Sequence, residues 1–178
     1  MPSPQSLSEN ERRLVAAWAA DCAERVLPLF EAEVPGDHRP RDGIARARAF
    51  SRGELDAAGE IRRRFVAGRA AHRATSSAGK AAAWSAGQAT GVAHMGAHAL
   101  GAAAYAVKAV ELATPNRGET EVQWQVQNMS RAVQAALRTL PLLGEDPSGP
   151  LGSGLLAAGA LGRTIRALQT ALRVIDPN

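Results

Sequence analysis

Residues 81–107, AAAWSAGQATGVAHMGAHALGAAAYAV, decide the fold of this chain. None of the 27 residues is Asp, Glu, Lys or Arg, and Lys80 and Lys108 flank the run. An uncharged stretch of this length is typical of a membrane-spanning helix. Ala and Gly, however, gain little free energy on transfer into lipid, and His94 and His98 would be costly at the centre of a bilayer. The stretch therefore predicts a central helix that other helices of a bundle enclose, and no membrane contact.

One face of that helix alternates small residues with large polar or aromatic ones. At about 100° per residue, seven side chains point within about 60° of one direction; they are Trp84, Gly87, Gly91, His94, His98, Gly101 and Tyr105. Gly inside a helix costs roughly 1 kcal/mol relative to Ala, so we expect a compensating gain. That gain is either the close approach of a second helix or space for a ligand beside the histidines.

The two histidines on this face lie one turn apart and allow three interpretations. They are hydrogen-bonded core residues, residues of a ligand pocket or catalytic site, or metal ligands. No Cys or carboxylate lies close to them in sequence, so we expect no metal and no cofactor.

The rest of the sequence predicts an all-α, single-domain bundle of about six helices around the central Ala/Gly-rich helix. A length of 178 residues fits one domain, and no segment alternates as a strand would. We expect a loose tail at residues 1–7, a helical core at residues 8–143, a Gly/Pro-rich loop at residues 144–154, and an amphipathic helix within residues 155–178. This last helix, which we place at about Leu155–Ile175, packs on the core or forms a homodimer.

The other helices are predicted from caps, turns and apolar stripes. Ser8 and Glu11 form a capping box that begins the first helix, in which Asp21 and Arg25 can pair one turn apart. These helices are expected at about residues 8–33, 40–52, 54–75 and 118–140, and the third of them carries Phe65 and His72 on its inward stripe.

Charge is concentrated between His38 and Arg73, where ten Arg face four acids. This block either forms a solvated face, with Arg stems covering apolar surface, or contacts an acidic protein or phosphates. Nucleic acid is the less favoured partner because no aromatic platform or DNA-reading motif accompanies the block.

The single Cys excludes an intramolecular disulfide, and the N-terminal residues lack the pattern of a signal peptide, so we expect a cytoplasmic bacterial protein.

Three segments carry a resemblance to a known family: WAADCAERVLPLFE (Trp18–Glu31), PGDHRPRDGIARA (Pro35–Ala47) and GQATGVAHMGAHALGAAAYA (Gly87–Ala106). They resemble the immunity-protein-five-like group of immunity proteins from bacterial polymorphic toxin systems. The resemblance implies an α-helical protein that neutralises a toxin, and it supplies no catalytic residues. The Gly-rich loop and the final helix extend beyond the family's pattern.

Two hypotheses for function follow. The first is a non-enzymatic immunity protein that binds a protein toxin directly. The second is a small-molecule-binding protein or an enzyme of a biosynthetic or resistance gene cluster, in which His94 or His98 acts as general acid/base and Tyr105 assists. The candidate binding residues for a ligand are Trp18, Asp37, Arg39, His72, Trp84 and Gln88.

Overall fold

The structure, a computed structural model, describes residues 3–174 and contains no β-strand within them. The α-helices are α1 Glu9–Glu31, α2 Arg39–Ser51, α3 Ala57–Arg63, α4 Val66–Arg69, α5 Ser77–Gly91, α6 His98–Ala113, α7 Gly118–Gln127, α8 Arg131–Arg138 and α9 Gly159–Val174. Short 3-10 turns cover Ala70–Arg73 and Leu155–Ala157. The all-α prediction is therefore confirmed, whereas the expected count of six helices is not, because three of the six are interrupted.

The stretch 81–107 is central and buried, but the prediction that it forms one helix is wrong. Helix α5 ends at Gly91, a turn occupies residues 92–97, and α6 begins at His98. The two helices lie side by side and antiparallel, since the Ser85 hydroxyl donates to the Ala102 carbonyl at 2.8 Å. None of the helices within residues 3–174 is both long enough and apolar enough to cross a bilayer.

A local cap accompanies one of the other two interruptions. The Ser130 hydroxyl accepts from the Val133 amide and begins α8 after a three-residue gap that follows α7. Such a side-chain cap competes with helix continuation, which the apolar stripes alone did not reveal. The Asp56 carboxylate caps the start of α3 in the same way, but the break between α3 and α4 has no side-chain cap.

Helix α1 begins with the predicted Ser8–Glu11 capping box. The predicted Asp21–Arg25 pair does not form. Arg25 instead donates to Glu121 of α7 at 2.9 Å, and Asp21 accepts from Arg48 of α2. Partners that are distant in sequence replace the local pair because α2 packs on α1, and because the Arg25 guanidinium, which lies over the Trp124 ring, reaches the carboxylate of Glu121.

Residues 3–7 are anchored, whereas the sequence predicted a loose tail at residues 1–7, of which the first two lie outside the described residues. Gln5 is fully buried and accepts from the Leu151 amide at 2.8 Å. The carbonyls of Gln5 and Ser6 accept from the amides of Ala97 and Gly96 in the α5–α6 turn. Residues 3–7 therefore connect the 144–154 loop to the central hairpin.

Helix α9 packs on the core against α6, α7 and α8. Its apolar stripe, including Leu161, Ile165, Leu168 and Leu172, is buried there. Ile175, which we also placed on that stripe, lies outside the described residues. The homodimer through this helix and the cytoplasmic location stay predictions.

Candidate functional site

An open cleft of about 640 Å³ lies between the α4 segment and the α5–α6 hairpin. Its lining residues come from both sides and are Arg64, Phe65, Gly68, Arg69, Trp84, Gly87, Gln88, Gly91, His94 and His98. A cavity of about 370 Å³ adjoins it, shares Gln88, His94 and His98, and also contacts Tyr105. The structure therefore brings together five of the predicted site residues, Trp84, Gln88, His94, His98 and Tyr105.

The glycines of the predicted face make room for specific neighbours. A Cβ atom on Gly87 would lie 2.8 Å from the Cα of Gly68, so this pair allows α4 to approach α5 closely. A Cβ on Gly91 would lie 2.9 Å from the His98 ring, and one on Gly101 would overlap the Gln88 side chain. The first expected reason, close approach of a second helix, applies to Gly87. Gly91 and Gly101 make room for polar side chains of the chain itself, and space for a ligand stays a prediction.

Gln88 and His98 form the polar floor of the cleft. The Nδ1 atom of His98 lies 2.8 Å from Gln88 Oε1. Because a carbonyl oxygen only accepts, Nδ1 carries the proton and donates to it, which leaves Nε2 unprotonated as an acceptor. Burial, with smaller contributions from the positive charges of His94 and Arg64, lowers the pKa of His98 from 6.5 to about 4. The imidazole is therefore neutral at pH 7.

His94 lies in the turn between the two helices and is exposed. Partial burial, followed by the positive charges of Arg64 and Arg12, lowers its pKa as well. The positive charge of Arg64 therefore acts on both histidines, although they lie on different elements. The sequence predicted that they are neighbours on one helical face, and this prediction is wrong.

An aromatic cluster forms one wall of the cleft. The Trp84 side chain is 37% exposed and stacks on the nearly buried Tyr105, with ring centroids 6.3 Å apart. Burial raises the pKa of Tyr105. His72 meets the indole edge-on at 6.2 Å and is exposed, so its predicted inward orientation is wrong.

The ten arginines of the charge block divide into two sets. Five of them, on α2 and at its C-terminal end, pair with carboxylates; they are Arg39, Arg41, Arg46, Arg48 and Arg52. The other five, called here the unpaired arginines, make no ion pair within residues 3–174; they are Arg62, Arg63, Arg64, Arg69 and Arg73. Arg64 and Arg69 line the cleft, and no carboxylate does. The cleft is therefore positively charged.

The sequence analysis located the arginine block, but it did not place part of the block beside a cleft with an exposed aromatic residue. Phe65, predicted on an inward stripe, is 57% exposed, and the Arg64 guanidinium lies 4.3 Å from the centre of its ring. The signal was the segment RRRFVAGR, residues 62–69, in which a run of arginines meets an aromatic residue and no acid.

Four predicted binding residues lie outside the cleft lining: His72, described above, and Trp18, Asp37 and Arg39. Trp18 is a core residue whose indole N–H donates to the Gln125 carbonyl at 3.0 Å. Arg39, the first residue of α2, forms an ion pair with Asp37, which lies two residues before it. The hydrogen bonds and charge of Arg39 lower the pKa of Asp37. These residues shape the fold and not the candidate site.

An all-α bundle with an open, arginine-lined cleft is a scaffold suited to binding. The family model described as "Imm-5 like putative immunity protein" matches residues 5–132. The chain therefore belongs to that immunity-protein family, which confirms the resemblance. Comparison with curated proteins and with solved structures gives no match. The cleft lies inside the matched region, whereas the 144–154 loop and α9 lie beyond it. Within residues 3–174, no group of three or more His, Cys, Asp or Glu is arranged to hold a metal ion.

Proposed function

We propose that this chain neutralises a protein toxin by direct contact through a surface that we call the arginine–aromatic face. This face consists of the unpaired arginines together with Phe65 and Trp84. Membership in the immunity-protein family supports a toxin as the partner. The choice of surface rests on which arginines form ion pairs. The unpaired arginines make none within residues 3–174, and they border exposed aromatic side chains.

Charge and exposure on this face suit an acidic partner. Arg62 and Arg63 are exposed and make no ion pair within residues 3–174, so their field extends into solvent and steers a negatively charged surface toward the cleft. Phe65 and Trp84 present large aromatic side chains, and aromatic residues and Arg are the types that dominate binding energy in protein interfaces. The toxin surface is therefore acidic, with an apolar patch that covers Phe65.

The test uses toxin domains encoded by genes beside the one for this chain. Cells that express such a domain should survive when the wild-type chain is co-expressed, and the purified pair should bind. The double variant Arg62→Glu/Arg63→Glu should weaken binding by about tenfold or more, because charge reversal creates repulsion in place of attraction. It should also lower protection and flatten the salt dependence of the association rate.

A matched control comes from the paired half of the block. Arg41→Glu/Arg52→Glu changes the net charge by the same amount at exposed positions that pair with Glu31 and Glu54. This variant should bind within about twofold of wild type if the surface is specific, because exposed ion pairs contribute little. Equal losses in both variants, with melting temperatures unchanged, would show that only overall charge matters and would contradict the proposed face.

A further inference from the structure

The cleft has a second chemical character besides its charged rim. Its lining includes two exposed aromatic side chains, Phe65 and Trp84. The space at Gly87 and Gly91 is filled by Gly68 and by the His98 ring, so the aromatic contacts that the cleft offers come from those two side chains. A planar ring that enters the cleft can therefore lie beside the indole of Trp84. A volume of about 640 Å³ lies in the range of small-molecule pockets.

The Gln88–His98 pair is held in place by the positions around it. Gly91 makes room for the imidazole and Gly101 for the Gln88 side chain, although Gly in a helix costs roughly 1 kcal/mol relative to Ala. Gln88 fixes the tautomer, so the Nε2 atom of His98 is an acceptor. Within residues 3–174 that atom makes no hydrogen bond, and His98 lines both cavities.

The charge in the cleft selects an anion. Arg64 and Arg69 line it, neither pairs with a carboxylate within residues 3–174, and the lining contains no acid. The Arg64 guanidinium lies over the Phe65 ring and donates to the Ile61 carbonyl at 2.6 Å. A carboxylate that enters this partly enclosed space interacts more strongly than it would in bulk water.

We propose that the cleft binds a small aromatic carboxylic acid. The carboxylate meets Arg64 and Arg69, the ring lies beside Trp84, and a hydroxyl or N–H group of the ligand donates to Nε2 of His98. This site goes beyond toxin contact. Arg64, Arg69 and Trp84 belong to both sites, whereas Arg62 and Arg63 belong only to the toxin-binding face, so variants of the two arginine pairs distinguish the failure of one proposal from the failure of the other.

The test is an NMR titration of the full chain with 4-hydroxybenzoate, read at the Trp84 indole N–H and the His98 ring. Both signals should shift and saturate. The uncharged 4-hydroxybenzamide should bind at least about tenfold more weakly, because it lacks the charge that the two arginines attract. The ether 4-methoxybenzoate should also bind several-fold more weakly, because it cannot donate to His98. These ligand comparisons use the wild-type chain and do not depend on any variant folding.

Two variants then assign the residues. Arg64→Gln/Arg69→Gln should weaken 4-hydroxybenzoate binding by about tenfold or more, whereas Arg62→Gln/Arg63→Gln should leave it within about twofold. His98→Gln should remove the preference for the hydroxyl over the ether. The proposal is overturned if 4-hydroxybenzoate and indole-3-carboxylate cause no saturable shift at 20 mM. It is equally overturned if the amide binds as well as the acid, or if the Arg64/Arg69 variant binds normally.

Discussion

Lowering the pH from 7.5 to 5.0 should destabilise this protein mainly through His98. The pKa of this residue is about 4 in the folded chain and 6.5 when it is unperturbed. Between pH 6.5 and pH 4 His98 is therefore protonated in the unfolded state but not in the folded state. The free energy of unfolding falls as the pH approaches 4. Linkage between those two pKa values makes the loss at pH 5.0 roughly 2 kcal/mol, a large share of the stability of a typical domain.

The assay is urea unfolding at both pH values, followed by circular dichroism, for the wild-type chain and two variants. His98→Gln should lose most of the pH dependence, because its side chain does not titrate. His94→Gln should keep most of it, since His94 is exposed in the turn and the pKa of the buried His98 ring dominates the effect. The hydrogen bonds of Arg48 and Arg39 lower the pKa values of Glu24 and Asp37, so these two carboxylates should contribute little to the difference. An equal loss of stability in wild type and His98→Gln would refute the assignment of the low pKa to His98.

Two further predictions concern packing. Trp18→Phe should destabilise the fold by about 2 kcal/mol, because it leaves the Gln125 carbonyl without its indole donor; a change below about 0.5 kcal/mol in denaturant unfolding would contradict this. Gly87→Ala should lower stability by about 1–3 kcal/mol although Ala is the better helix former, because its Cβ would lie 2.8 Å from the Gly68 Cα. Gly36→Ala, at a position with no atom within 4 Å, serves as the control, and equal effects of both substitutions on the melting temperature would argue against close packing at Gly87.

The all-α class could be predicted from the sequence, but the break in the central stretch could not. Residues 92–97 contain no Pro and no side-chain cap, so the local pattern favours one continuous helix. The turn is fixed by hydrogen bonds from Gly96 and Ala97 to Ser6 and Gln5, about ninety positions away in the chain. Contacts of that range carry no local signal, although Gly91 and Gly96 weaken the helix at both ends of the turn.

The site residues were predicted in part because a hairpin preserves some of the neighbours that a helix implies. Folding at residues 92–97 returns the face that carries Trp84 and Gln88 toward the face that carries His98 and Tyr105. The prediction for His72 failed because its segment is a 3-10 turn, in which the helical stripe is lost. The pairing of arginines was equally hidden, since it depends on which helices meet and not on the count of charges.

The glycine pair between α4 and α5 connects the fold to both proposals. Because Gly68 and Gly87 lack side chains, α4 lies directly on α5, with Trp84 packed against Gly68. This position of α4 brings Phe65 and Arg69 to the rim of the cleft, opposite His98. A larger residue at either glycine would push α4 outward, widen the cleft and separate the cationic rim from the polar floor. The same close approach therefore shapes the surface proposed for the toxin and the space proposed for an aromatic acid.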